Sequence, residues 1–235
     1  MTFPEWNQIH THILEFEQQG LVTRTFRRLD PERQQAILQA ILDEAGDKGP
    51  SAINIKQVAE RAGVAVGSLY QYFDGRAGLM AFAVALCARF LTDLFEESRP
   101  YLVAMPLREA LSAYLSYGIE WSGTQTGLIR FFGRAAYHGD AELAESVVRP
   151  VALAMRNLVT DILSAARERG ELRPDLDFEA AARLVNLWMI ALGDSQLLPY
   201  LNNYYQVTDE TVSFERVTTC LLDILDQGIR EKQES

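Results

Sequence analysis

Residues 54 to 73, NIKQVAERAGVAVGSLYQYF, carry two helical patterns of about two turns each, separated by Gly63-Val64-Ala65. Helices that short are marginal in water, because nucleation is costly and an isolated helix needs ~12–15 residues. Two such helices joined by a three-residue turn containing glycine are the signature of a helix-turn-helix. Local signals set the register. Asn54 and Gln57 form a capping-box pattern, and Ile53 with Val58 supplies the flanking hydrophobic staple, so the first helix spans about 55 to 62 and stops at Gly63. The second spans about 66 to 73.

The remainder of the chain has no alternating strand pattern, whereas apolar residues three and four apart recur throughout, which predicts an all-α protein. A helix over about 5 to 19 aligns Trp6, Ile9, Ile13 and Phe16 and stops at Gly20. The next, about 31 to 47, has Asp30 as N-cap and Pro31 as first residue, buries Ile37, Leu38, Ile41, Leu42 and Ala45, and stops at Gly49-Pro50. A longer helix from about Gly75 turns Leu79, Phe82, Leu86, Phe90 and Leu94 inward; Gly78 inside it costs about 1 kcal/mol if exposed. Further helices are predicted over about 107 to 122, 127 to 137, 141 to 169, 177 to 200 and 211 to 231, with a kink at Pro150.

At 235 residues the chain can bury a core without metal or disulfide staples. Cys87 and Cys220 read as buried small hydrophobes in a reduced, cytoplasmic protein. No uncharged run approaches the ~20 residues of a bilayer span, so no membrane partner is expected, and the acidic N-terminus does not resemble a signal peptide. The formal charge of -10 argues against nucleic acid, but its distribution does not: residues 22 to 78 carry +1, whereas residues 1 to 21 carry -3 and residues 79 to 235 carry -8.

On a helical wheel over 66 to 73, Val66, Leu69 and Phe73 share one side while Gly67, Ser68, Gln71 and Tyr72 point away and Tyr70 falls on the margin. Amide, hydroxyl and aromatic groups suit a major groove, with Lys56 and Arg76 as phosphate clamps at the flanks. The stretch INIKQVAERAGVAVGSLYQYFDGRAGLM resembles the DNA-binding signature of TetR-type (tetracycline-repressor-like) transcriptional regulators. The resemblance implies DNA contacts from Lys56, Gly67, Ser68, Tyr70, Gln71, Tyr72 and Arg76. Ala65 and Val66 depart from it, standing where the family often has Ser and then Lys or Arg, which removes a cap oxygen and a phosphate contact. The basic tail of the N-terminal extension, Arg24-Thr-Phe-Arg27-Arg28, is expected either to enter the minor groove as a flexible arm, with Arg27 and Arg28 on DNA, or to be a solvated linker.

These readings divide the chain into an extension (1–29), a three-helix helix-turn-helix DNA-binding domain (30–78) and a larger helical domain (79–235), for which the resemblance implies ligand binding and dimerisation. Tyr114, Tyr117, Trp121, Phe131, Phe132, Tyr137 and His138 are the candidate lining of an effector site, core packing being the simpler role for each. The effector would be small and apolar or aromatic. Leu184, Leu187, Trp188 and Ala191 on one helix and Val217, Leu221 and Ile224 on the last form a candidate homodimer seam, two pairs making a four-helix bundle; intrachain packing is the alternative. His10, His12 and His138 lack metal-ligand spacing, and no phosphate loop, dinucleotide fingerprint or nucleophile elbow occurs, so no metal, cofactor or catalytic residue is expected. The function expected is a repressor released from a palindromic operator by that effector. The rival is a helical small-molecule binder that no longer reads DNA, and an all-α enzyme ranks last.

Overall fold

The structure, a computed structural model, describes residues 9–49, 52–124 and 126–229. Trp6, Pro50 and the outer ends of the first and last predicted helices lie outside these residues. The described chain is helical: α1 (Ile9–Gln18), α2 (Arg24–Arg27), α3 (Pro31–Lys48), α4 (Ile55–Ala62), α5 (Val66–Tyr72), α6 (Gly75–Ala104), α7 (Leu107–Thr124), α8 (Thr126–Tyr137), α9 (Ala141–Leu143), α10 (Arg149–Glu168), α11 (Phe178–Leu197), α12 (Pro199–Tyr205) and α13 (Phe214–Ile229), with a π-helical turn over Ala144–Val148. No strand occurs among the described residues.

Local chemistry sets most of these limits. Asp30 accepts from the Arg33 backbone N–H at 2.9 Å, and Asn54 accepts from that of Lys56 at 3.0 Å. The Gln57 side chain turns to Glu60 (3.2 Å) instead of closing the reciprocal half of the expected capping box. Gly63 adopts φ +64°, the left-handed stop that ends α4. Two proline effects differ from expectation. The distortion at Pro150 falls before it, as the π-helical turn, because proline has no N–H to close an α-helical bond to the preceding turn. The single helix expected over 177 to 200 is two, since Pro199 pushes Leu198 out of the helical region to φ -126°, ψ 80°.

The chain forms two compact units. Among the described residues the first comprises 9–94 and 126–151, the second 95–124 and 152–229. The boundary expected at 78/79 is thus not a boundary of compactness: residues 79–94 and 126–151 join the N-terminal residues. In the first unit α8 lies directly on α3, and the approach depends on glycine. A Cβ on Gly127 would stand 2.6 Å from Asp43 Oδ1 and 3.3 Å from the Leu42 carbonyl carbon; one on Gly46 would stand 3.0 Å from the Arg130 Cβ. Gly78 has a similar reason, since a Cβ there would meet Asp74 Cβ and the Phe73 carbonyl carbon at 3.2 Å. By length and composition α6 could cross a membrane, but Leu79, Phe82, Leu86, Phe90 and Leu94 are buried inside the protein, as their spacing predicts.

The second unit is built on a core that includes Leu111, Leu115, Ile162, Leu163, Val185 and Met189. Leu184, Leu187 and Ile224 stay outside it, at 49%, 56% and 55% exposure.

Candidate nucleic-acid interface

Leu69 and Phe73 anchor α5 by burial, and Val66 is half-buried, as the wheel places them. Gly67, Tyr70 and Gln71 are exposed and Ser68 is half-buried, so four of the nominated groups form one outward strip. Ala65 supplies no side-chain cap to this helix.

Tyr72 corrects the wheel. Its ring is buried, 5.8 Å from Phe26 and 6.3 Å from Phe73 between centroids, so it holds α5 down and does not extend the outward strip. The wheel treats 66 to 73 as one regular helix, whereas α5 ends at Tyr72 and Phe73 is extended at φ -133°, ψ 107°. The packing partner, Phe26, is 46 residues earlier in sequence and wholly buried.

The extension that supplies Phe26 is not a free arm. Phe16, Phe26, Phe73 and Phe82 interlock with centroid separations of 5.1–5.9 Å. Gln34 is buried and donates to the carbonyls of Phe26 (3.0 Å) and Arg27 (3.1 Å). Arg27 is ion-paired with Glu17, which occupies a side chain nominated for DNA; Arg28 and Arg24 are exposed. His12, rejected as a metal ligand, lies 2.8 Å from Asp93 and ties α1 to α6.

Electrostatics separate the cations of this unit. At the C-terminal turn of α3, Asp47 receives Arg61 (2.8 Å) and Arg130 (3.2 Å), and the two guanidinium groups lower the Asp47 pKa, Arg61 acting most strongly. Glu44, wholly buried, lies within ion-pair distance of Lys48 (3.0 Å) and Arg61 (3.3 Å) without a hydrogen bond to either. Arg134 donates to the carbonyls of Gly46 (2.7 Å) and Asp47 (2.8 Å), satisfying acceptors that a helix end leaves open. By contrast, Lys56, Arg24 and Arg28 have no ion-pair partner among the described residues. Lys56 stands in the first turn of α4, and Arg76 is exposed in the first turn of α6. A cation without a carboxylate keeps its attraction for phosphate.

The aromatic residues nominated for an effector divide between the units. Tyr114, Tyr117 and Trp121 belong to the second; Phe131, Phe132, Tyr137 and His138 to the first. Phe131 and Trp121 are buried, Phe132 is half-buried, and Tyr117, Tyr137 and His138 are exposed. Tyr114 stacks on Phe95 at 6.3 Å, and burial of its hydroxyl, with the charge of Asp194, pushes its pKa upward. On the seam, Trp188, Ala191, Val217 and Leu221 are half-buried beside the exposed Leu184, Leu187 and Ile224. A groove of about 310 Å³ opens there between α11 and α13, lined in part by Leu184, Trp188, Ile224 and Leu225. Cys220, expected to be buried, is exposed: it precedes Ile224 by one turn on the same outer face of α13. Cys87 is buried as expected, which raises its thiol pKa.

Comparison with known proteins places these features. The sequence model described as "Bacterial regulatory proteins, tetR family" matches residues 37–82, which hold α4 and α5 with parts of α3 and α6. The HTH-type transcriptional repressor KstR2 of Rhodococcus jostii is 24% identical over 140 residues, 59% of this chain and 67% of that protein. The repressor KstR of the same organism is 46% identical over 54 residues, but the match spans 23% of this chain and 26% of KstR. The transcriptional regulator FadR of Bacillus subtilis, solved with stearoyl-CoA, superposes with a TM-score of 0.61 at 18% identity, covering 83% of this chain and 99% of that one.

Proposed function

We propose that this chain, which belongs to the TetR family of DNA-binding transcriptional regulators, is a homodimeric repressor that leaves a palindromic operator when a small effector binds. Regulation, and not catalysis, is its activity. The observation that carries the reading is the outward strip of α5, Gly67, Ser68, Tyr70 and Gln71, with the exposed Lys56, which has no ion-pair partner among the described residues, and the exposed Arg76. Gln71 is the side chain suited to adenine edges, Ser68 and Tyr70 reach phosphates, and Gly67 lets the backbone approach closely. A soluble regulator of this kind works on DNA in the cytoplasm.

A repressor of a palindrome needs a two-fold partner, and the seam of α11 and α13 supports one. Leu184 and Ile224 line one groove and Leu187 is exposed three residues on along α11, and a second copy would cover these apolar side chains while pairing two recognition helices for half-sites about one DNA turn apart. The effector would lie in the second unit near Tyr114, whose hydroxyl is already withdrawn from water. That the similar FadR is solved with stearoyl-CoA and its relatives KstR and KstR2 are repressors supports an apolar effector and release as the outcome. A useful switch needs the effector to favour the DNA-incompetent state by several kcal/mol. Three routes of continuous chain join the two units: α6, α7 followed by α8, and α10.

The test is selection of duplexes from a random DNA pool by the intact chain, with light scattering on the same sample. The expected result is a dimer that recovers a sequence with two-fold symmetry. Leu187→Glu should yield monomers that no longer recover it. A chain that retains DNA only at low salt and without sequence preference has lost its reading function.

A further inference from the structure

The extension before the DNA-binding helices is absent from the region matched by the family model, and its placement at the end of α5 is the least explained feature of the first unit. Thr23 makes three bonds there. Its hydroxyl donates to the carbonyl of Gln71 at 2.7 Å, its backbone N–H donates to the carbonyl of Tyr72 at 3.0 Å, and its hydroxyl oxygen accepts weakly from the N–H of Phe26 at 3.5 Å. The last carbonyls of a helix have no partner within it. The extension therefore closes α5, whose N-terminal residue Ala65 offers no side-chain cap.

The residue after Thr23 is Arg24, its Cα about 3.8 Å from that of Thr23. Arg24 is thus held beside Gln71, one of the exposed groups of the outward strip. Arg28 follows four residues on, one turn away on the same side. Both are exposed, and neither has an ion-pair partner among the described residues, although Arg27 between them is paired with Glu17. Phe26 is wholly buried and Gln34 binds the carbonyls of residues 26 and 27, so this turn has a fixed position.

We propose that residues 23–28 are an ordered second DNA-contact element, fastened to the end of the recognition helix by Thr23 and Phe26, in which Arg24 and Arg28 neutralise phosphates of the backbone flanking the bases read by α5. This rests on the DNA-binding reading above and replaces the flexible minor-groove arm. Burial of Phe26 and pairing of Arg27 hold residues 24–28 in place instead of leaving them a flexible arm, and fixed arginines beside the helix suit sequence-independent phosphate contact. Such contacts fix the angle of the helix on the duplex and carry no base information.

The experiment measures binding of the full-length chain to its selected duplex and to a scrambled duplex over a range of salt concentrations. Arg24→Gln with Arg28→Gln should make the slope of log affinity against log salt shallower by about 2, at ~0.9 per phosphate, equally on both duplexes and with unchanged melting temperature. Thr23→Val should weaken both duplexes, and Thr23→Ser, which keeps the hydroxyl, should restore them. An unchanged slope in the double variant overturns the proposal. A loss confined to the selected duplex, with altered preference for A·T pairs, overturns it in favour of groove reading. If the wild-type chain selects no sequence, the preceding reading fails, and the slope on scrambled duplex alone still decides whether Arg24 and Arg28 touch phosphate.

Discussion

Arg61, Arg130 and Arg134 meet at the C-terminal turn of α3, where Asp47, Glu44 and two helix carbonyls engage them; Arg24, Arg28 and Lys56, in the same unit, are exposed and have no carboxylate partner among the described residues. The first set binds three helices of the protein to one another. The second leaves positive charge facing outward in a chain whose formal charge is -10. Net charge is therefore a poor guide to partners here, because the acidic groups that dominate it form no ion pair with these three cations among the described residues. The same side-chain type acts as structural fastening in one region and stands exposed to solvent in the other, and the neighbouring carboxylates decide which.

This contrast can be broken by substitutions that should move stability in one region and DNA binding in the other. Glu44→Ala should have the largest effect, lowering stability by about 2 kcal/mol, since it empties a wholly buried site on α3 and removes the carboxylate beside Lys48 and Arg61. Denaturant melts check this; an unaltered midpoint would mean the ion cluster fastens nothing. Gly46→Ala should cost about 1–2 kcal/mol by forcing α8 off α3, because the added carbon meets Arg130 Cβ at 3.0 Å and the Gly127 carbonyl oxygen at 3.2 Å.

Lys56→Gln should show the opposite signature. Its melting temperature should match the wild type, while the salt slope of DNA binding falls by about 0.9 on any sequence. A shifted melting temperature with an intact slope would erase the distinction between the two sets. The smallest effect concerns acid. Because the Asp47 pKa is lowered in the folded protein, the folded state binds fewer protons there than the unfolded chain, so this contribution is present above the ordinary carboxylate range near pH 4 and is lost as pH falls below it. Melting curves of Asp47→Asn against wild type should converge below about pH 4, and curves that stay parallel would remove Asp47 from the cluster.

Much of the candidate interface was legible because its signals are local. The Asp30 and Asn54 caps, the left-handed Gly63 and the spacing of Leu69 and Phe73 each act within a few residues, so α3, α4 and α5 fall where the spacing predicts. The wheel failed at Tyr72 for the same reason in reverse. Whether a tyrosine at the last helical position faces out or in depends on what packs beside it, and Phe26 lies in a segment outside the window. Arg27 was nominated on charge alone; Glu17, ten residues earlier and on a different helix, claims it. The aromatic set proposed for an effector had only helical spacing to support it, and that spacing cannot show that Tyr114 and Phe131 belong to different compact units.

What the chain determined by itself is its all-α character, the helix limits around the turn, the apolar stripes of α3 and α6, and the family they point to, since capping, glycine stops and 3.6-residue periodicity are written in neighbouring residues. Tertiary structure alone decided that α8 rests on α3 through Gly46 and Gly127, that Thr23 closes α5, and which arginines stay unpaired. The first two depend on contacts between residues roughly 50 to 90 positions apart, as Thr23–Gln71 and Arg134–Gly46 are, and the arginine pairings on contacts between different helices, as Arg27–Glu17 and Arg61–Asp47 are. No local pattern encodes such a pairing; it follows from which faces remain to be covered once the helices have formed.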